Sequence, residues 1–366
     1  MYAEIERLLL QVGSESGHDV VHSRMAPESA SSTQSSRPAK RKRMLTGVQP
    51  LDIALGELNG DDAMISPMLE LLGQPGSGKT QTLYRICASA ALPETLGAGS
   101  SAVRLNGHGS HVLFVDVDGK SDMRLLCQYL RSLVRESVKS GCGGRQVNEQ
   151  LLNEAVGSAL DRIHVFSPET TQSLVATLAM LPRYAAQHGI EAAGCVLLVD
   201  GLGANFWFDK RSADNTWLRI KRATPMFRLQ QLLVDTLQQV RRQMGCLCVV
   251  TSVLFLRSGA ESALAKSASQ ESMGPSSQGS QGSQPGQRQH QQRAIEADGT
   301  VYRDHMIPRW QSVVSRSFVL ESALCRDGPG TELRLTPVAD GRGRQQPYRA
   351  YIGAQGLRAA PTQSEQ

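Results

Sequence analysis

The sequence predicts an α/β fold with a mainly parallel central sheet, helices on both of its faces and antiparallel strands toward the C-terminus. Three observations carry this reading. Short, continuously apolar runs alternate with segments of helical spacing through the middle of the chain, the pattern of strands buried on both faces. The first run leads into GQPGSGKT, residues 73–80, and a helix-like stretch follows, so strand, glycine-rich loop and helix come in the order that a phosphate-binding P-loop requires. Near the C-terminus, QSVVSRSFVLES, TELRLTPV and YRAYIGAQGL are β-rich pieces separated by Gly-rich turns, which suits antiparallel additions at one sheet edge.

Taken in order, MYAEIERLLL at residues 1–10 can form a short helix with Ile5, Leu8 and Leu9 on one side, too short to stand alone. Residues 14–36 turn to a composition weighted toward Ser, His, Glu and Pro, which buries too little apolar surface to fold, so residues 1–44 read as a flexible tail. It ends in RPAKRKRM, with five basic residues in the seven positions 37–43. Such a cluster serves nuclear import or contacts nucleic acid, and otherwise is a solvated charge run. Compact texture begins at Leu45.

Met68–Leu72 is the strand before the loop, and residues 81–92 place Leu83, Ile86, Cys87 and Ala90 on one helical face. HVLFVDVD at 111–118 is a second buried strand, with a helix-like segment at 121–133 behind it. RIHVF at 162–166 is a third strand and residues 171–187 a helix. GCVLLVDGL at 194–202 is the most apolar strand, closed by Asp200. Residues 226–244 carry Met226, Leu229, Leu233, Leu237, Val240 and Met244 at spacings of three and four, an amphipathic helix that runs into the strand CLCVVTSVLF. Residues 258–299, rich in Ser, Gln and Gly, read as a disordered insertion, and residues 356–366 as a disordered tail.

At 366 residues and 40% apolar composition the chain can bury a sizeable core. The net charge of +5 suits a nucleic-acid partner without demanding one. No apolar run is long enough to cross a membrane, and the N-terminus lacks the pattern of a signal peptide. Seven scattered cysteines, mostly within apolar runs, read as buried thiols in a reducing compartment, Cys246 and Cys248 among them.

In a P-loop, successive backbone N–H groups point at phosphate oxygens, and glycines serve where a Cβ would block the turn or the close approach. Gly73, Gly76 and Gly78 meet that need, with Gln74, Pro75 and Ser77 between them and Gln81 just beyond. Lys79 is expected on the β- and γ-phosphates, and Thr80 on Mg2+ at the start of a helix whose dipole favours an anion. Asp200, at the end of its apolar strand, fits the acid that holds the Mg2+ shell. Hydrolysis also needs a group to position the attacking water, and Asp116 and Asp118 are the candidates.

LTGVQPLDIALG at 45–56 followed by LLGQPGSGKTQTLYRICASAALP resembles the core of the RecA-like strand-exchange recombinases in their eukaryotic form. VLFVDVDGKSDMRLL, LLVDGLGANFWFDK, PRWQSVVSRSFVLE and YIGAQGL follow in the expected order and narrow the resemblance to the recombinase paralogues. It covers residues 45–355 apart from the insertion. What it implies is a RecA-like P-loop ATPase core that binds ATP with Mg2+ at a subunit interface and DNA through two loops.

The family's catalytic Glu falls on Asp118, and the Gln that senses the γ-phosphate falls on Val253 or a close neighbour. Asp is one methylene shorter than Glu, and Val can neither donate nor accept a hydrogen bond. The phosphate cradle is intact while both hydrolysis-linked positions depart from the active pattern, so weak, DNA-dependent ATPase activity is the expectation. The first DNA loop falls at 207–224, where Lys210, Arg211, Arg219, Lys221 and Arg222 surround Trp207 and Trp217. Basic residues beside aromatics can hold phosphates and stack bases of single-stranded DNA. The alternative is that Phe206 and Trp207 are core or partner-facing and the basic residues a solvated rim. The second loop coincides with the insertion, with Arg288 and Arg293.

The residues before the core are too few and too polar for the helical DNA-binding domain of the active recombinases. The resemblance therefore implies a nuclear subunit of a complex with other recombinase paralogues, supporting the main strand-exchange recombinase on single-stranded or branched DNA. An active strand-exchange ATPase and a scaffold with a vestigial nucleotide site are the alternatives.

Overall fold

The computed structural model describes residues 45–58, 66–97, 103–141, 148–214, 225–256, 294–297, 300–303, 306–324, 331–338, 348–353 and 356–359. The tail at 1–44, most of the insertion, and Arg219, Lys221, Arg222 and Trp217 lie outside the described residues. The element order is α1 (Gln49–Leu58), β1 (Met68–Gly73), α2 (Lys79–Ala91), β2 (Thr95–Leu96), β3 (Val103–Arg104), β4 (Val112–Asp116), α3 (Met123–Gly141), α4 (Glu149–Leu160), β5 (Ile163–Phe166), α5 (Thr171–Gln187) and β6 (Val196–Asp200). Then come α6 (Phe206–Asp214), α7 (Pro225–Met244), β7 (Leu247–Val253), β8 (Phe255–Leu256), β9 (Ala294–Ala297), β10 (Thr300–Arg303), α8 (Pro308–Gln311), β11 (Arg316–Leu324), β12 (Thr331–Pro337), β13 (Tyr348–Gly353) and β14 (Gly356–Ala359).

One nine-stranded sheet organises these elements, in the order β14-β13-β12-β11-β1-β7-β6-β4-β5. From β11 to β5 every pairing is parallel, and from β11 to β14 every pairing is antiparallel. The expected α/β class with its antiparallel C-terminal wing is what the chain adopts. Alternation sorts the strand residues between the two faces. Leu71, Phe114, Leu198, Val249 and Phe318 join one core cluster with Leu83, Ile86 and Cys87 of α2 and Leu126 and Leu130 of α3. Their neighbours Leu113, Val115, Leu197, Val199 and Val250 are equally buried, so the central strands are apolar on both faces over most of their length.

β1 takes the middle place because both of its neighbours come from far along the chain. Leu72 lies opposite Ser252 of β7 on one side and Val319 of β11 on the other. A single charged side chain interrupts β1: Glu70 is fully buried, accepting hydrogen bonds from Trp310 Nε1 at 2.5 Å and Ser317 Oγ at 2.7 Å. That network ties β11 and α8 to the strand that leads into the glycine-rich loop.

Three boundaries differ from the sequence reading. Gly356–Ala359, read as the start of a tail, forms β14 against β13 and buries Leu357; four residues with one large apolar side chain leave almost no pattern to read. Ala294–Ala297, read as the end of the insertion, pairs with β10. The segment read as a loop from 207 opens as the helix α6, whose nine residues are too few to show a helical period clearly. Three further helices were not anticipated: α1, α4 with Asn148 as its N-cap, and the short α8.

Cys87, Cys195, Cys246 and Cys248 are buried, as expected of thiols on these elements, and Cys127 is half-buried. Burial pushes the Cys87 and Cys248 thiols well up. Among the described residues no helix is long and apolar enough to cross a membrane.

Candidate nucleotide site

The loop between β1 and α2 is shaped by two glycines in the left-handed region, Gly76 at φ +80° and Gly78 at φ +87°. An L-residue is strained there, which explains the positions of these glycines. The Ser77 N–H donates to Gln74 O at 3.1 Å and closes the turn. A Cβ on Gly78 would stand 2.9 Å from Ile352 Cδ1 and 3.0 Å from Leu333 Cδ1, so β12 and β13 press directly on the loop. Ser322 Oγ of β11 donates to Gly76 O at 3.1 Å. The antiparallel wing is therefore the loop's outer support.

Lys79 folds back over the loop, its ammonium donating to Gly73 O and Gln74 O at 2.8 Å each and to Ser77 Oγ at 3.4 Å. These are the backbone partners a phosphate ligand would replace. Burial lowers its pKa to about 8, and the negative charges of Asp200 and Asp118 only partly oppose that.

Thr80 and Asp200, 120 residues apart, meet: Thr80 Oγ1 donates to Asp200 Oδ2 at 2.7 Å. Burial raises the Asp200 pKa, and hydrogen bonds from Thr251 and Thr80 act against the rise. Mg2+ is commonly held by one or two side chains together with substrate phosphates. A hydroxyl and a carboxylate in contact at the mouth of a P-loop are a donor set of that kind. No group of three or more His, Cys, Asp or Glu suited to a metal occurs among the described residues.

The two acids after β4 separate in role. Asp116, buried at the strand end, accepts from Gly119 N at 2.9 Å and Ser121 N at 3.0 Å and so caps the turn. Asp118 is exposed, pairs with Lys120 at 3.0 Å, and sits over Gly201, where a Cβ would come within 3.1 Å of Asp118 Cβ. Asp116 is thus committed to the turn, and Asp118 to an exposed ion pair. At the end of β7, Val253 stands opposite Gly73, and the Leu254 N–H donates to Gly73 O at 3.1 Å. The position beside the loop is thus apolar. Beyond the loop opens a cleft of about 390 Å3, bordered by Gln74, Pro75, Ser77, Leu320, Glu332 and Arg334.

Of the expected DNA residues, Lys210 and Arg211 are described, both on α6. Phe206 is buried at the start of α6, whereas Trp207 and Phe208 are 54% and 64% exposed. Lys210 Nζ lies 5.2 Å from the Trp207 ring centre, and Lys210 and Arg211 are exposed. The core alternative holds for Phe206 only. Sequence reading missed Thr251, which donates to Asp200 Oδ1 at 2.6 Å. Its one signal was the pair of hydroxyl residues Thr251 and Ser252 inside an apolar strand.

Comparison with known proteins follows the same line. The DNA repair protein XRCC2 of Mus musculus is 25% identical over 209 residues, 56% of this chain and 62% of that protein. The chain resembles XRCC2. An XRCC2 homologue of Arabidopsis thaliana is 25% identical over 163 residues, 40% of this chain and 43% of that protein. The aligned part is less than two thirds of the length of either XRCC2 relative. The resemblance to the recombinase paralogues read from the sequence is borne out by these XRCC2 matches. A solved RadB recombinase aligns over 87% of this chain and all of its own, at 13% identity and a TM-score of 0.49. The strand order carries the fold class without it. No family profile matches the chain.

Proposed function

We propose that the chain is an ATP-binding recombinase paralogue in homologous-recombination repair of double-strand breaks and at damaged replication forks, acting as a subunit of a paralogue complex. The observation that carries this reading is the contrast within one site. Lys79, Thr80 and Asp200 converge on the P-loop, whereas Asp118 is a short acid paired with Lys120 and Val253 is apolar. Such a site holds a nucleotide better than it splits one.

In this reading residues 73–78 and Gln81 wrap the phosphates, with the glycines letting the backbone approach. Lys79 exchanges its carbonyl partners for phosphate oxygens. Thr80 and Asp200 hold Mg2+, which supplies charge neutralisation along the phosphates when bound. Asp118 orients water weakly because its carboxylate reaches less far than a Glu. Trp207, Lys210 and Arg211, continued by Arg219, Lys221 and Arg222, contact single-stranded or branched DNA by stacking and phosphate pairing. The other paralogues and the main strand-exchange recombinase are the protein partners. The basic cluster at 37–43 suits import into the nucleus. The working unit is the core 45–355, interrupted at 258–299.

The test is nucleotide affinity and turnover of the purified chain, with Lys79→Ala as the control. Measurable MgATP binding, turnover far below that of an active recombinase, and loss of partner capture in Lys79→Ala are expected. Recombinase-like turnover without partners would overturn the reading in favour of an active strand-exchange ATPase. Unchanged partner capture and repair in Lys79→Ala would overturn it in favour of a scaffold.

A further inference from the structure

We infer that Thr251 is the positioning residue that aims the Asp200 carboxylate at a metal–nucleotide complex, an inference that rests on the nucleotide reading above. Thr251 is fully buried on β7, beside the strand that Asp200 closes. Its hydroxyl has two partners: it donates to Asp200 Oδ1 at 2.6 Å and accepts from the Gly201 N–H at 2.7 Å. Its carbonyl accepts from the Leu202 N–H at 2.9 Å.

The direction of these bonds is determined by chemistry. A hydroxyl has one proton, and an amide N–H can only donate, so the Gly201 bond uses a lone pair of Thr251 and the proton goes to the carboxylate. Oδ1 is thereby occupied by a donor fixed in a strand. Oδ2 faces Thr80, whose hydroxyl rotates and is the group expected to turn toward a cation. The two oxygens divide the work: one anchors the carboxylate, and the other is left for the metal shell. Metal-site carboxylates commonly depend on such outer hydrogen bonds for their orientation.

Thr251 also holds the chain that leaves the site. Gly201 is at φ +81°, where an L side chain is strained, and a Cβ there would be tight against Asp118 Cβ at 3.1 Å. The two hydrogen bonds from Gly201 and Leu202 to Thr251 keep that turn in place. One residue thus sets both the acid and the backbone on which Asp118 rests. Val has nearly the shape of Thr but no hydroxyl, and would leave Asp200 Oδ1 and the Gly201 N–H without their partner in a buried place. Ser keeps the hydroxyl and drops only the methyl.

The experiment uses the full chain with Thr251→Val, Thr251→Ser and Thr251→Cys, measuring ATP affinity with Mg2+ and again in excess EDTA. Thr251→Val is expected to weaken MgATP binding by about 10- to 100-fold, with the metal-free affinity changed less than about threefold and Thr251→Ser within about threefold of the unaltered chain. Equal loss with and without Mg2+, no loss, or no rescue by Ser would overturn the inference while leaving the nucleotide reading intact. Should circular dichroism show Thr251→Val unfolded, Thr251→Cys carries the test, with the same Mg2+-selective loss required. If the unaltered chain binds no ATP with Mg2+, the nucleotide reading falls and this inference with it.

Discussion

Raising the pH from 7 to 9 is expected to weaken nucleotide binding through one side chain. In the free protein burial holds the Lys79 ammonium at a pKa of about 8, against 10.5 for an ordinary lysine. Its neutral fraction is then about 0.1 at pH 7, 0.5 at pH 8 and 0.9 at pH 9. Phosphate oxygens in place of the Gly73 and Gln74 carbonyls bring formal negative charge to the ammonium and return it to the charged form. Binding must therefore take up about 0.1, 0.5 and 0.9 proton at those three pH values, and affinity should fall about tenfold from pH 7 to pH 9. The sign is that of a cation disfavoured in the free protein and favoured in the complex: binding is strongest below the free pKa and is lost above it. Titration calorimetry in buffers of different ionisation enthalpy reads the uptake directly. Lys79→Arg is the control, since a guanidinium stays charged throughout this range. Uptake at pH 9 no greater in the unaltered chain than in Lys79→Arg would refute the reasoning. For folding the same depressed value acts the other way. The unfolded lysine binds more protons between pH 8 and 10.5, so the Lys79 contribution to stability rises across that window.

Three other outcomes follow from the geometry. Gly78→Ala places a methyl against Ile352 and Leu333 at a positive φ, and should destabilise by about 2–5 kcal/mol in denaturant unfolding; less than about 1 kcal/mol would contradict the close support of the loop. Glu70→Ala leaves the Trp310 N–H and Ser317 hydroxyl without their acceptor and should lower stability by about 2–4 kcal/mol, whereas Glu70→Gln, which keeps an acceptor oxygen, should lose clearly less in the same assay. Lys210→Ala should reduce the salt slope of single-stranded DNA binding by about 0.7 with nucleotide affinity unchanged, and an unaltered slope would remove Lys210 from the DNA surface.

The glycine-rich turn between β1 and α2 was legible because it is a contiguous pattern, with glycines at fixed places and then Lys and Thr. Asp200 was legible because a buried strand that ends in an acid is conspicuous. The same reading could not separate Asp116 from Asp118, since which acid caps the turn depends on where Gly119 and Ser121 point their N–H groups. Thr251 escaped because its meaning lies in the register between β6 and β7, which no local pattern encodes. The helix α6 was hidden by its brevity and its exposed aromatics, and α4 by a face built of Leu152, Ala155, Val156 and Ala159, too small to mark an obvious apolar stripe. The buttress on Gly78 comes from residues more than two hundred positions away.

That distance has a consequence in time. Ser322 is 246 residues beyond Gly76, and Trp310 is 240 beyond Glu70. At about 5–20 residues per second, synthesis of the intervening chain takes roughly 12–50 s, during which the loop exists without its supporting wall. A nascent or C-terminally shortened chain carries the phosphate motif in full and yet lacks the pocket. Under the proposed function, nucleotide occupancy would report on completed chains, and any assembly that depends on it would admit only finished molecules.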